Sequence, residues 1–221
     1  MTCYNPIMKK NKIILFDLDG TLIDSTEAIL ESFEVAFASF GVEVPDATQI
    51  KVEIGHPLED MFDALGVEVS QIASYVRAYK SHYREISCAK TLLLPGAKEA
   101  IALAHEEAYL GVVTTKTGLY SVALLEHMGM MHYFDVLIGR ENVTHPKPHP
   151  EPIYQALRQL PEVTGGIWMI GDTCMDMLAA QSADIDGIAV LCGYASEELL
   201  MKCSNQIVQN SLEAIQFIAK E

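Results

Sequence analysis

Four apolar residues in a row, 13–16, open the pattern of this chain and stop at "DLDG", residues 17–20. So short an apolar run, closed by turn-forming residues, predicts a strand buried on both faces, as in the parallel sheets of α/β proteins. From residue 23 to about residue 90 the periodicity is helical, with no clear strand. "DSTEAILESFEVAFASFG" opens on a capping box of Asp24 and Glu27, sets Leu30, Phe33, Phe37 and Phe40 on one stripe, and stops at Gly41. "HPLEDMFDALG" reads as a short second helix. "SQIASYVRAYKSHYREIS" reads as a third, with Ile72, Val76, Tyr79, Tyr83 and Ile86 on its apolar face and Arg77, Lys80 and Arg84 on one flank. Beyond residue 91, strands at 110–115, 134–139, 167–170 and 187–192 alternate with helices at 97–109, 117–128, 152–160, after 172, and at 211–220. This alternation predicts an α/β fold, a three-layer Rossmann-like parallel sheet. The catalytic core is expected at residues 1–22 and 91–221, with an inserted α-helical cap at 23–90 acting as a lid.

Composition narrows the partners. At 221 residues, half of them hydrophobic and a fifth charged, the chain fits one large domain or a domain with an insert. A formal charge of −15 argues against nucleic acid and anionic membranes, which need a basic footprint. No apolar run approaches the ~18–20 residues that span a bilayer. Only four apolar residues follow the basic start, short of the ~7–15 of a signal peptide, so the expected location is the cytoplasm. The five cysteines, Cys3, Cys88, Cys174, Cys192 and Cys203, are odd in number and widely spaced, with no CxxC. That pattern points away from a disulfide framework or a structural zinc site, and the cysteines are expected to be free thiols. An acidic chain acting on an anion also needs local positive charge, which a divalent cation and a few lysines would supply.

The candidate chemistry gathers at the predicted strand ends. Asp17 and Asp19, two apart in an extended chain, face one crevice where open α/β sheets bind ligands. Two carboxylates so close want a cation or a shared proton. "GVVTTK" ends in Thr114, Thr115 and Lys116, "HPKPHPEP" holds Lys147 between prolines, and "GDTCMD" places Asp172 and Asp176 one helical turn apart. Singly, each has an ordinary role as a helix cap, a surface lysine or a solvated helix start. Together, Asp17, Asp19, Asp172 and Asp176 offer hard oxygen ligands suited to Mg²⁺ and not zinc. Thr114 and Lys147 offer the hydroxyl and cation that phosphate oxygens want, and backbone amides at Leu18 and Thr115 would complete a phosphate cradle.

Four stretches, "DLDGT" at 17–21, Thr114 after an apolar strand, Lys147 in "KPHPEP" and "GDTCMD" at 171–176, resemble in order the four motifs of the haloacid dehalogenase-like hydrolases. The resemblance implies that Asp17 is the nucleophile, forming an aspartyl phosphate, and that Asp19 is the general acid and base. It implies Mg²⁺ held by the Asp17 carboxylate, the Asp19 main-chain carbonyl and Asp172, with Asp176 supporting that shell or ligating through water. Thr114 and Lys147 would act on the phosphate. Family members that dehalogenate lack an aspartate at the position of Asp19, so its presence implies phosphate chemistry. "GHPL" at 55–58, "LLLPGAKEAI" and "GYASEELL" resemble the phosphoglycolate phosphatase subgroup. That implies a small helical cap and 2-phosphoglycolate as substrate, with His56, Arg77, Lys80 and Arg84 as candidate specificity residues. A pyrophosphatase, a nucleotidase, a broad sugar-phosphate phosphatase and, from another class, a non-catalytic phospho-receiver-like module stay open. The expected protein is a monomer or homodimer acting on a small phosphorylated metabolite.

Overall fold

A computed structural model of the protein describes residues 10–221; Cys3 and most of the basic start lie outside the described residues. The chain runs β1 (Lys12–Phe16), β2 (Ile23–Asp24), α1 (Thr26–Ser39), α2 (Ala47–Glu53), α3 (Leu58–Ala64), α4 (Val69–Ile86) and β3 (Leu92–Leu93). It continues through α5 (Ala97–Glu107), β4 (Ala108–Val113), α6 (Gly118–His127), β5 (Val136–Ile138), α7 (Glu151–Leu157) and β6 (Ile167–Gly171). The last elements are α8 (Cys174–Ser182), β7 (Asp186–Val190), α9 (Glu197–Leu200), β8 (Ile207–Val208) and α10 (Ser211–Ile218).

Six strands form one sheet in the order β5-β4-β1-β6-β7-β8, every neighbouring pair parallel. The apolar run of β1 lacks a polar break because its residues alternate between two buried layers. Ile14 and Phe16 join Leu110, Val112 and Ile170 in the core under α5 and α10. Ile13 and Leu15 join Val113 and Met169 in the core under α7 and α8. The fold is therefore α/β, a parallel sheet with helices on both faces.

Helices α1 to α4 fall between β1 and β3 and bury a core of their own. Its centre is aromatic: Phe33 meets Phe62 at 4.7 Å and Tyr79 at 5.0 Å between ring centroids. Of the expected stripe on α1, Phe33 and Phe37 are buried while Phe40 is exposed and stacks on Tyr75. The chain leaves and re-enters the sheet region through an antiparallel ribbon in which Ile23 pairs Leu93 and Asp24 pairs Leu92.

Three expectations need correction. The capping box of Asp24 and Glu27 does not form. Ser25 is the N-cap of α1, Asp24 lies in β2, and Glu27 reaches away to Lys90 at 2.8 Å. Cys174 and Cys203 are joined in a disulfide, with Cα atoms 5.6 Å apart, and only Cys88 and Cys192 are free among the described residues. A separation of 29 residues hid this pair; the chain returns through β7 and α9 to the start of α8. The first helix after residue 91 stops at Glu107, because Ala108 and Tyr109 already pair with Lys12 and Ile13 across the sheet. No helix among the described residues is long and apolar enough to cross a membrane.

Candidate active site

The strand order decides where the polar residues meet. β1 lies between β4 and β6, and the chain goes on to β5 on one side and to β7 and β8 on the other. The carboxyl ends flanking such a reversal are where open α/β sheets take their ligands. Asp17 and Asp19 leave β1 there, Thr114 leaves β4, and Asp172 leaves β6.

Lys147 is the hub of the buried side. It is 3 % exposed, and its Nζ lies 2.8 Å from Asp17 Oδ1, 2.5 Å from Asp176 Oδ1 and 3.0 Å from the Val113 carbonyl. Asp176 Oδ1 and the Val113 carbonyl accept hydrogen bonds from this ammonium, while Asp17 Oδ1 faces it as an ion pair. Burial disfavours its charge, but Asp17 and Asp176 outweigh burial and hold Lys147 protonated, its pKa raised. Asp176 gains its place from the helix it starts: its Oδ2 accepts from the Thr173 N–H at 3.0 Å and the Thr173 hydroxyl at 2.7 Å. Asp172 is fully buried, with Oδ1 accepting from the Thr21 hydroxyl at 3.0 Å and Oδ2 from the Tyr194 N–H at 2.8 Å.

These carboxylates outnumber their cation. One oxygen each of Asp17, Asp172 and Asp176 falls within 4.8 Å of the others. Burial, eased by Lys147 and worsened by Asp176 and Asp19, pushes the Asp17 carboxyl up to about 7. Burial, and then Asp17 and Asp176, push Asp172 well up too. Asp17 Oδ1 is buried and completes no directed hydrogen bond, although Lys147 stands close. An orphaned anionic oxygen among crowded carboxylates fits a hard divalent cation, for which all-oxygen donors are the suitable set.

Gly20 lets the loop after β1 close over Asp172. Its φ is +80°, and a Cβ there would stand 2.3 Å from Asp172 Oδ2. Gly20→Ala therefore meets both backbone strain, costing about 1–3 kcal/mol, and a clash with a buried carboxylate. The expected result is a lowered urea midpoint together with reduced metal affinity. A variant as stable as the parent would refute the close approach.

Asp19 has a different setting. Ser25 donates to its Oδ1, and Lys116 Nζ stands 3.2 Å from its Oδ2. Lys116 is itself held by the Tyr83 hydroxyl at 3.0 Å and lies over the Tyr83 ring at 4.5 Å. Burial opposes its charge, but Asp19 and the nearby tyrosines keep it protonated with a raised pKa. Asp19 and Lys116 line a cleft between the sheet ends and helices α1, α3 and α4. The N–H groups of Leu18, Asp19 and Thr115 donate to no protein acceptor among the described residues. Thr114 is buried, and its Oγ1 accepts from the Lys116 N–H at 3.1 Å. The Thr115 hydroxyl donates to the Gly55 carbonyl at 2.8 Å, tying this loop to the helical segment.

Of the four cations expected on the helical segment, His56 and Lys80 line the cleft. Arg77 and Arg84 do not: both are exposed, and Arg77 bonds only Ser74, at 2.8 Å. The buried side of α4 is set by Tyr75, Tyr79 and Tyr83, which turns these two arginines to solvent. Lys116, Ser25 and the tyrosines were not among the expected site residues. Lys116 had a readable signal, a cation two residues beyond Thr114 in the same loop. Ser25 and Tyr83 had none, since only the fold brings them to Asp19.

A family model described as haloacid dehalogenase-like hydrolase matches residues 14–190. "Probable phosphatase IndB" of Dickeya dadantii is 34 % identical over 209 residues, covering 92 % of this chain and 91 % of its own. A protein of Colwellia psychrerythraea named phosphoglycolate phosphatase is 26 % identical, over 85 % of this chain and 87 % of its own. Pyrophosphatase PpaX of Halalkalibacterium halodurans is 31 % identical, over 82 % and 83 %. Among solved structures, a haloacid dehalogenase-like family hydrolase from Streptococcus pneumoniae superposes with a TM-score of 0.83 at 30 % identity, covering 94 % of this chain and 98 % of that one.

Proposed function

This chain belongs to the haloacid dehalogenase-like hydrolases and is a phosphatase; from that premise we infer that it hydrolyses a small phosphate ester through a phosphorylated Asp17, with Mg²⁺ bound. The observation carrying this reading is the buried group of Asp17, Asp172 and Asp176 around Lys147, next to a cleft floored by Asp19.

An Asp17 carboxylate oxygen bonds to phosphorus as the ester oxygen leaves, giving an aspartyl phosphate. Asp19 gives the leaving oxygen its proton, then takes one from the water that cleaves the acyl phosphate. Ser25 and Lys116 hold the Asp19 carboxyl in place for both transfers. Lys147 keeps Asp17 oriented and offsets negative charge as phosphate arrives. The unengaged N–H groups of Leu18 and Thr115, with the Thr114 hydroxyl, receive phosphate oxygens. Asp17, Asp172 and the Asp19 main-chain carbonyl would hold Mg²⁺, with Asp176 fixing that shell from behind. Bound there, the ion supplies charge neutralisation at the phosphate. Residues 23–90 form the cap, whose side chains face the leaving group across the cleft. Among small esters, 2-phosphoglycolate and pyrophosphate follow from the relatives' names.

The test is phosphate release with Mg²⁺ and with chelator, alongside thermal melting at pH 6 and pH 8. Between about pH 4 and pH 7 the folded, metal-free protein keeps a proton on Asp17 that the unfolded chain has released. Its stability therefore falls as pH rises through that window. Metal binding requires the carboxylate and so displaces the proton. Activity is expected only with metal. Mg²⁺ at a concentration a hundredfold above its Kd at pH 8 should stabilise by about 2.7 kcal/mol there, and the same concentration should stabilise less at pH 6, where the proton on Asp17 competes. Chelator-resistant turnover would sink the metal assignment.

A further inference from the structure

We propose that the Cys174–Cys203 bridge is a reversible redox site, opened by a dithiol, and that its state sets the affinity of the buried acidic group for Mg²⁺. The proposal rests on the assignment of Asp172 as a ligand of that ion. Its ground is what the bridge fastens. Cys174 is the first residue of α8, two beyond Asp172 and two before Asp176. Cys203 follows α9, at the far end of the segment that leaves β7. The near end of that segment lies on Asp172. The Tyr194 N–H donates to Asp172 Oδ2 at 2.8 Å, and a Cβ on Gly193 would run into the same carboxylate. From Asp172 to Cys174, across the sulfurs to Cys203 and back to Tyr194, the contacts close a ring around one carboxylate.

The segment has little core of its own. Helix α9 is a single turn, and between Leu191 and Gln206 the one buried residue is Leu200, which joins Met177 and Ala189 in a small cluster. Both cysteines are half-buried, and Cys203 follows the exposed Met201 and Lys202, which leaves a path for an incoming thiolate. A thiolate of the reductant bonds to the Cys203 sulfur as the S–S bond breaks, and Cys174 leaves with the electron pair as a thiolate. The second thiol of the reductant then displaces Cys203 and closes a disulfide of its own. The two cysteines gain two electrons and, once protonated, two protons, while the dithiol is oxidised. With the bridge open, the segment is held chiefly by Leu200 and the contacts of Tyr194, so Asp172 is less firmly placed. Losing a group that orients a metal ligand weakens binding by about 10–100-fold.

The experiment measures Mg²⁺ affinity by calorimetry, and amide exchange at Tyr194 in the metal-free protein. Both are read for the parent when oxidised, reduced with dithiothreitol and reoxidised, and for Cys203→Ser. Alkylation and mass analysis count the thiols in each. The expected result is Mg²⁺ bound about tenfold more weakly by the reduced parent, faster exchange at Tyr194, and recovery of both on reoxidation. Cys203→Ser should match the reduced parent, with or without the dithiol. Should that variant not fold, the oxidised and reduced parent carry the comparison. Equal affinity and equal exchange in the two parent states would overturn the proposal. So would a bridge that the dithiol does not open in the folded protein, or free thiols at both Cys174 and Cys203 after oxidation. Mg²⁺ bound by neither state would overturn the assignment of Asp172 as a ligand, and the control of affinity with it.

Discussion

Asp17→Asn is expected to cut kcat by on the order of 10⁴-fold or more, the scale on which removal of a covalent nucleophile is felt. The amide has the same shape and still presents an oxygen to Lys147, so packing changes little. It has lost the anionic oxygen that must bond to phosphorus. The fold should tolerate the change well. The Asp17 carboxyl is pushed up to about 7 by burial among other carboxylates, so near neutral pH the parent already holds it partly uncharged. Removing the charge altogether relieves the crowding around Asp172 and Asp176 in the metal-free protein. Two measurements check this: steady-state phosphate release, and thermal melting without metal. Turnover close to the parent's would remove Asp17 from the nucleophile's role. A collapsed melting temperature would mean that Asp17 matters to the fold more than its surroundings indicate.

Lys147→Met should show the largest effect on stability. The methionine fills similar volume but leaves Asp17 and Asp176 buried without their cation, and breaking a buried pair from one side costs about 3–5 kcal/mol. For a chain of this size each kcal/mol lowers the melting temperature by roughly 2–4 °C, so a fall of roughly 6–20 °C is expected in the absence of metal. The dependence on pH separates this cause from simple loss of packing. Without Lys147 the Asp17 carboxyl rises further above its unfolded value, so the folded state binds its proton more tightly than the unfolded chain does. Stability then grows as pH falls, and the deficit should be greater at pH 8 than at pH 5.5. Denaturant melts of both proteins at the two pH values read this directly. An equal deficit at both would show that the ammonium's charge is not what holds this group together.

The sheet was legible in the sequence because its central strands are buried on both faces. The runs at residues 13–16 and 167–170 carry no polar residue, and no alternative structure accommodates them so well. Asp17, Asp19 and Asp172 were legible because they stand where those runs stop, and Lys147 because prolines flank it. Short elements were harder. Helix α2 buries a single residue, Ile50, so it has almost no hydrophobic period to read, although Asp46 and Gln49 do form a capping box there. β8 is two residues long and exists as a strand through its pairing with β7. Asp24 and Glu27 misled because Ser25, between them, is both the N-cap of α1 and a partner of Asp19. The cations of α4 misled for a related reason. A helical wheel groups Arg77, Lys80 and Arg84 on one flank, but it says nothing of where a neighbouring element ends. The cleft reaches Lys80 and stops short of the two arginines.

The central position of β1 also bears on how the chain comes to be active during its own synthesis. Strand β1 needs partners on both sides, and the second of them, β6, is made long after it. The hydrogen bond from Thr21 to Asp172 spans 151 residues, so this part of the site closes only when nearly the whole core is present. Contacts of such separation form late, after shorter loops have closed. Lys147 precedes Asp172 and Asp176 along the chain, so the ammonium has left the ribosome before the last two carboxylates that crowd around Asp17. Phosphate release in a translation extract would then appear only once Asp172 and Asp176 have left the ribosome, and would report the docking of β6 beside β1 as faithfully as it reports chemistry.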